Sequence, residues 1–83
     1  MSRAPRPEAT TRILLAEDQR LQARLLLAVI DQLGLDPVVV SDGEAAWEIL
    51  SGEDPPQLAL LDWMMPGVSG VEVCRRMLDH PQR

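Results

Sequence analysis

The sequence predicts an α/β domain whose parallel sheet is covered by helices on both faces. Three short apolar runs, at residues 13–16, 38–40 and 58–61, alternate with stretches of helical spacing. Runs of this length are typical of strands, and strands that alternate with helices join through right-handed crossovers into a parallel sheet. The predicted order of elements is therefore β-α-β-α-β-α.

The N-terminal stretch, residues 1–11, contains Pro5 and Pro7 and shows no apolar period. Such a segment cannot bury enough apolar surface to order itself, so we predict a disordered arm. The remaining residues, 12–83, are enough for one small domain and too few for two.

The first apolar run is predicted to be a buried parallel strand, because its side chains are apolar on both faces. It stops at Glu17 and Asp18. A helix is predicted over residues 20–33, and Gly34 stands where a helix end favours a positive φ. Five apolar residues share one face of this helix, which we expect to be buried: Leu21, Leu25, Ala28, Val29 and Leu33.

The second strand is predicted over residues 38–40, which are β-branched throughout and follow Pro37. Ser41 and Glu44 then form the S-x-x-E pattern of a capping box, with Ser41 as the expected N-cap of the second helix. That helix is expected to end at Gly52.

The third strand is predicted over residues 58–61, again as a buried strand, and it ends at Asp62. Ser69 and Glu72 repeat the capping-box pattern at the start of the last helix. Cys74 lies on the apolar face of that helix, so we expect a buried thiol.

Composition excludes several classes of function. The formal net charge is −5, with 13 Asp and Glu against 8 Lys and Arg, and this acidic balance argues against binding to a nucleic-acid backbone. The single cysteine excludes an internal disulfide and a zinc site made only of cysteines, and it suits a reducing compartment. No apolar run approaches the roughly 20 residues that span a membrane, and no signal-peptide core follows Met1. We therefore expect a cytoplasmic protein with no membrane partner.

Carboxylates follow two of the three predicted strands: Glu17 and Asp18 follow the first, and Asp62 follows the third. Ligands of an open parallel sheet bind outside the carboxyl ends of its strands. If the first and third strands are neighbours, the three carboxylates meet, and a hard cation such as Mg²⁺ would relieve their repulsion. A carboxylate beside Mg²⁺ can also attack a phosphoryl group.

Two simpler interpretations of the same carboxylates remain open at this point. Asp18 could cap the helix that follows it, and Asp62 could end its strand in solvent.

Three segments resemble the receiver domain of two-component response regulators. They are residues 13–18 (ILLAED), residues 41–46 (SDGEAA) and residues 60–70 (LLDWMMPGVSG). The third segment is the most specific, since the family's phosphoacceptor Asp is followed by Met three residues on, Pro four on and Gly eight on. Met65, Pro66 and Gly70 occupy those positions relative to Asp62. The resemblance extends over residues 12–80.

The resemblance implies that Asp62 accepts a phosphoryl group from a phosphohistidine on a sensor histidine kinase or a phosphotransfer protein. It implies that Asp18 and Asp62 bind Mg²⁺, with the Met64 carbonyl as a backbone ligand and Glu17 acting through a bound water. The family is a signalling family, so we expect no enzyme beyond slow self-catalysed phosphoryl transfer.

The resemblance also implies which residues form the loop beside the site: Trp63, Met65, Pro66, Gly67 and Gly70. It implies a doubly wound fold with five strands in the order 2-1-3-4-5. The first three strands and helices are present here, so we expect a truncated receiver domain over residues 12–83 with the strand order 2-1-3.

The sequence departs from the family's pattern in two residues of the site. A complete receiver carries a Ser or Thr after its fourth strand and a Lys after its fifth. Thr10 and Thr11 precede the first strand and cannot fill the hydroxyl position, and the chain contains no lysine. A phosphoryl group on Asp62 would lack these partners, so we expect impaired transfer.

Three functions therefore compete. The first is a phosphoacceptor module, the second is an interaction module that assembles without phosphorylation, and the third is a small Mg²⁺-dependent phosphatase with Glu17 as its general acid.

We also expect a homodimer, because the third strand would be an apolar sheet edge and the first helix would expose part of its leucine-rich surface.

Overall fold

The computed structural model describes residues 10–80 and contains three strands and three helices in strict alternation. The strands form one parallel sheet in the order β2-β1-β3, so the predicted fold class and strand order are confirmed. The elements are β1 (Arg12–Ala16), α1 (Arg20–Gln32), β2 (Asp36–Val40), α2 (Gly43–Leu50), β3 (Leu58–Leu61) and α3 (Gly70–Leu78). The predicted disordered arm falls largely on residues 1–9, outside the described residues.

The central strand β1 divides the core into two layers. Leu14 and Ala16 face α2 and α3 and are fully buried there. Ile13 and Leu15 point to the opposite face, where Ile30 of α1 covers them. The buried strand predicted for β1 is therefore confirmed, and its continuous apolar run is explained by a helix layer on each face.

The buried face of α1 is not the predicted one. Four of the five residues expected in the core are more than half exposed: Leu21 (70%), Leu25 (59%), Val29 (52%) and Leu33 (67%). The side of the helix that packs on the sheet carries Ala23, Leu26, Leu27 and Ile30 instead. Periodicity could not choose between the two faces, because α1 is apolar on both.

The strand β3 is also more exposed than predicted, because it lies at an edge of the sheet. Its register places Leu58 opposite Ile13 and Leu60 opposite Leu15, on the face that α1 covers. Leu58 is 46% exposed and Leu60 is 41% exposed, since α1 lies over β1 rather than over β3. The expectation of an apolar sheet edge is met.

The other edge strand, β2, begins two residues before the predicted run and includes Pro37. Proline is tolerated there because an edge strand leaves one side of its backbone unpaired. Asp42, not Ser41, is the N-cap of α2, and its side chain accepts a hydrogen bond from the Ala45 amide at 2.8 Å. The prediction of Ser41 as the cap was therefore wrong by one residue.

Ser69 caps α3 as predicted, since its hydroxyl accepts a hydrogen bond from the Glu72 amide at 3.2 Å. Gly34 has a φ of 75°, as its place after α1 predicts. The thiol of Cys74 is exposed rather than buried, because the sheet side of α3 is taken by Val73 and Met77.

Arg12 connects β1 to the turn before β3 at the amino end of the sheet. Its guanidinium donates hydrogen bonds to the carbonyls of Asp54 (2.8 Å) and Pro55 (3.1 Å), and it also pairs with the Asp54 carboxylate at 3.1 Å. Its amide donates to the side chain of Gln57 at 3.1 Å. These contacts join β1 to the turn that leads into β3.

In the described part of the chain, no helix is long and apolar enough to cross a membrane.

Candidate functional site

The carboxyl ends of β1 and β3 hold the site, and the backbone fixes both of its anchoring residues. The Asp62 amide donates to the Ala16 carbonyl at 2.9 Å, which extends the β1–β3 ladder by one residue. The Glu17 amide donates to the Val40 carbonyl at 3.1 Å and extends the β1–β2 ladder in the same way. Both carboxylates therefore project from the end of the sheet at positions set by strand pairing.

The three predicted carboxylates come together as expected. One oxygen from each of Glu17, Asp18 and Asp62 lies within 4.8 Å of the other two. Their exposure differs, since Glu17 is buried at 8% exposed, Asp62 is half-buried and Asp18 is exposed. The cluster is therefore buried at its base, at Glu17, and open to solvent at Asp18.

The two simpler interpretations of these residues do not fit. The N-cap of α1 is Gln19, with no side-chain capping hydrogen bond, so Asp18 does not cap the helix. Asp62 does not simply end its strand in open solvent either, because its Oδ1 accepts a hydrogen bond from the Met64 amide at 3.4 Å. One oxygen of each instead lies within 4.8 Å of the other carboxylates.

Burial raises the pKa of the Glu17 carboxyl above its ordinary value. The neighbouring carboxylates of Asp62 and Asp18 raise the same pKa further, while the Gln19 amide, which donates to Glu17 Oε2 at 3.1 Å, lowers it. Burial and the neighbouring negative charges therefore act on the Glu17 carboxyl in the same direction.

This donor set fits a hard divalent cation. The donors are carboxylate oxygens only, they converge from two strand ends, and one of them is a buried carboxylate with a raised pKa. Mg²⁺ prefers one or two protein carboxylates and retains several waters, which the open side at Asp18 leaves room for. The residues present are therefore suited to Mg²⁺.

The loop after Asp62 separates into an exposed part and an anchored part. Trp63 is 71% exposed and Met64 is 74% exposed, so Trp63 has no packing role in the core. Met65 turns inward and joins the core beneath α2 and α3. Pro66 is exposed, and Gly67 reverses the chain with a φ of 76°.

Gly70 is required where α3 approaches the site. A Cβ built on Gly70 would overlap the carbonyl oxygen of Asp62 and would lie 3.2 Å from the Cβ of Leu61. Only glycine lets the first turn of α3 come this close to the backbone of the phosphoacceptor candidate.

Gly43 is a residue of the site framework that sequence reasoning missed. A Cβ on Gly43 would overlap the carbonyl of Val68, so the start of α2 packs directly on the loop that follows Asp62. Residues 41–44 were interpreted as a capping box and, within residues 41–46, as part of the family resemblance, and neither interpretation gave Gly43 a role of its own. A glycine at the first position of a helix, where it lowers helix propensity, could have indicated a close approach.

A small pocket of about 110 Å³ opens beneath the carboxylates, between β3 and α1. Its walls are mostly apolar, and Glu17 and Asp62 form its polar end. The lining residues are Leu15, Ala16, Glu17, Leu26, Leu60, Leu61 and Asp62. Leu26 of α1 and Leu60 of β3 therefore line one pocket next to the site.

Comparisons with known proteins agree with this geometry. The family model of the response regulator receiver domain matches residues 13–83. The phosphate regulon transcriptional regulatory protein PhoB of Rhizobium meliloti is 38% identical over 71 residues, which are 86% of this chain and 31% of that protein. The DNA-binding response regulator MtrA of Mycobacterium tuberculosis is 41% identical over 64 residues, 77% of this chain and 28% of that protein.

A solved structure shares the fold. The receiver domain of the Francisella response regulator 1452 superimposes with a TM-score of 0.76 at 23% identity, over 84% of this chain and 57% of that one. The chain thus spans less than a third of the two regulators and little more than half of the solved domain. Because the family model covers both strand ends that form the site, as well as α3, this chain belongs to the response regulator receiver domain family.

Proposed function

We propose that this chain is a phosphoacceptor module of a two-component phosphorelay and that Asp62 is the residue phosphorylated. The observation that carries the proposal is the convergence of one oxygen each from Glu17, Asp18 and Asp62 within 4.8 Å at the end of the sheet. Asp62 is half-buried rather than fully buried like Glu17, so a donor can reach it. The phosphodonor would be a sensor histidine kinase or a phosphotransfer protein.

The proposed step is a displacement at phosphorus. A carboxylate oxygen of Asp62 forms a bond to the phosphorus of a phosphohistidine as the P–N bond breaks, and the electron pair leaves with the imidazole nitrogen. The product is an acyl phosphate on Asp62. The chain supplies the nucleophile and its orientation, since the Asp62 amide is fixed by the Ala16 carbonyl and its Oδ1 by the Met64 amide.

Asp18 and Asp62 would bind Mg²⁺ directly, the Met64 carbonyl would be the backbone ligand, and Glu17 would act through a bound water. When bound, the cation would neutralise charge on the transferring oxygens. The burial of Glu17 supports its action through a bound water, because a buried carboxylate at the base of the cluster is shielded from the exposed side at Asp18. Trp63, Met64 and Pro66 form the exposed rim that a donor protein would meet.

We propose that transfer is slow in this chain. Residues 1–83 contain no lysine, so none of them supplies a lysine ammonium group to pair with the transferring oxygens. Loss of one electrostatic stabiliser of this kind costs about 10²–10³ in rate. The module is therefore a signalling domain rather than an enzyme with turnover, and the lone cysteine favours a cytoplasmic location.

The test uses Trp63, which adjoins Asp62 in the chain, as the reporter. Trp47→Phe leaves Trp63 as the only tryptophan, and its fluorescence is followed as Mg²⁺ and beryllofluoride are added. We expect a saturable change that needs both additions, and that disappears in the same background with Asp62→Asn. A change that survives Asp62→Asn would contradict the proposal.

The second candidate is an interaction module that assembles without phosphorylation. The observation in its favour is the exposed apolar surface of α1 and β3, together with the missing lysine. Its partner would be a second copy of this chain. The two candidates are separated by whether self-association responds to beryllofluoride or proceeds equally without it.

A further inference from the structure

The loop between β3 and α3 is held by packing rather than by main-chain hydrogen bonds. Within residues 10–80, no backbone group of residues 63–68 forms a hydrogen bond with another backbone group. The Met64 amide donates only to the Asp62 carboxylate, at 3.4 Å. Met65 is buried in the core beneath α2 and α3. The position of the rest of the loop therefore depends on the surfaces against which it packs.

The start of α2 is one of these surfaces. The Val68 carbonyl group lies so close to Gly43 that a Cβ on Gly43 would overlap it and would lie 3.0 Å from the Val68 Cα. The Glu44 side chain approaches the same loop, since a Cβ on Gly67 would lie 3.8 Å from the Glu44 Cγ. The closest contact joins backbone to backbone, so neither side can move away as the end of a flexible side chain can.

Two residues further on, the chain packs on the backbone of Asp62. Gly70 lies against the Asp62 carbonyl, and only Ser69, which caps α3, separates Gly70 from Val68. A short path of backbone contacts thus leads from Gly43 through Val68 and Gly70 to the proposed phosphoacceptor. Glycine at the first position of α2 lowers helix propensity, and the packing on Val68 gives a reason for a residue without a side chain there.

We propose that Gly43 is a positioning residue for the acidic site. By packing on the Val68 carbonyl, it fixes the loop that orients Asp62 and the Met64 carbonyl. This inference rests on the proposed function, in which those two groups bind Mg²⁺. Gly43 has no side chain and supplies no ligand, so it acts only through the loop. A side chain at this position would push the loop away from α2 and change the arrangement of the ligands without removing any of them.

Isothermal titration calorimetry of the full chain with MgCl₂ tests this role. In Gly43→Ala, we expect the dissociation constant for Mg²⁺ to rise about tenfold, as is typical when a residue that orients metal ligands is changed. Gly52→Ala is the matched control, because it makes the same exchange just beyond the other end of α2, where the nearest atom to the new Cβ lies at 3.4 Å. Its affinity for Mg²⁺ should equal that of the wild type. Circular dichroism checks that each variant is folded.

A second pair of variants keeps the test independent of whether Gly43→Ala folds. Val68→Ala shortens a side chain that packs on the core, and it loosens the same contact from the side of the loop without adding an atom. It should also weaken Mg²⁺ binding. Val38→Ala is its matched control, since Val38 packs on the same core from β2, at the sheet edge opposite β3. Its affinity for Mg²⁺ should stay at the wild-type value, because a loss of packing alone does not alter the folded site.

The outcomes separate this inference from the proposed function. Wild-type affinity for Mg²⁺ in a folded Gly43→Ala, or in Val68→Ala if Gly43→Ala does not fold, would overturn the positioning role alone. Equal weakening in Val38→Ala and Val68→Ala would also overturn it, since loss of packing anywhere in the core would then be enough. A wild-type chain that binds Mg²⁺ no better than Asp62→Asn would overturn both the positioning role and the cation site on which the proposed function depends.

Discussion

The carbonyl oxygen of Asp62 occupies the space in which a side chain on Gly70 would begin. The two residues are eight positions apart, and the loop between them returns the chain to within contact of its own starting point. The first turn of α3 is therefore packed directly on the backbone of the proposed phosphoacceptor.

Gly70→Ala should lower the free energy of unfolding by about 1–3 kcal/mol, because the added methyl group forces the helix and the Asp62 carbonyl apart. Urea titration measures the loss. The control is Gly52→Ala, since a Cβ at Gly52 meets its nearest atom at 3.4 Å and should change stability by much less. Equal losses in the two variants would contradict the close seating of α3.

Asp62→Asn should stabilise the chain in the absence of divalent ions by about 1 kcal/mol or less, since it removes one of three neighbouring negative charges. Mg²⁺ at ten times its dissociation constant should stabilise the wild type by about 1.4 kcal/mol. The gain should be much smaller in Asp62→Asn.

Thermal unfolding with and without Mg²⁺ measures both effects. Asp36→Asn is the matched control, because Asp36 lies at the start of β2, at the opposite end of the sheet from the cluster. Its response to Mg²⁺ should equal that of the wild type. An equal Mg²⁺ response in the wild type and Asp62→Asn would refute the cation site.

Ile30→Ala should cost about 2–5 kcal/mol, because Ile30 is 3% exposed and fills the layer between α1 and the sheet. Leu21→Ala, on the exposed side of the same helix, should change stability by about 0.5 kcal/mol or less. Denaturant titration at a concentration where the chain is monomeric checks the pair. The reverse order would mean that the periodicity had identified the buried side correctly.

The ion pairs of Glu72 should contribute stability that is lost in acid. Arg75 and then Arg76 lower the pKa of the Glu72 carboxyl from its ordinary value of 4.5 to about 2. A carboxylate with a depressed folded-state pKa stabilises the fold above the unfolded value, and this contribution disappears as the pH falls from 4.5 towards 2. The free energy of unfolding, measured across that pH window, should therefore fall more steeply with decreasing pH in the wild type than in Glu72→Gln. Parallel curves would show that the pairs are fully screened.

The fold and the location of the site could be predicted because they depend on short-range patterns. Alternating apolar runs and helical stretches fix a parallel sheet, and the residues that end β1 and β3 then meet at its carboxyl edge. The resemblance around Asp62 added the strand order. Both kinds of signal lie in a few neighbouring residues.

The side of α1 that is buried could not be predicted, because it depends on which strands lie beneath the helix. Leu25 and Leu26 are equally apolar neighbours, and only the position of α1 over β1 decides that Leu26 is the one packed on the sheet. Cys74 was misjudged for the same reason, since α3 presents Val73 rather than Cys74 to the core. The close contact of Gly43 with Val68 joins residues that are far apart in sequence and leaves no local pattern.

The contacts of Arg12 with the turn before β3 have a consequence for the order in which the sheet opens. The β1–β3 pairing closes a loop of more than forty residues, and it is held at one end by Arg12 and at the other by the Asp62 amide. If one end of the β1–β3 pairing loosens, the contact at the other end still holds the two strands together. The segment of chain that joins β1 to β2 is shorter. Amide protons of β1, which is paired on both sides, should therefore exchange with solvent only when the whole domain unfolds. Glu17 and Asp62 directly follow β1 and β3, so we expect the acidic site to persist until these two strands separate.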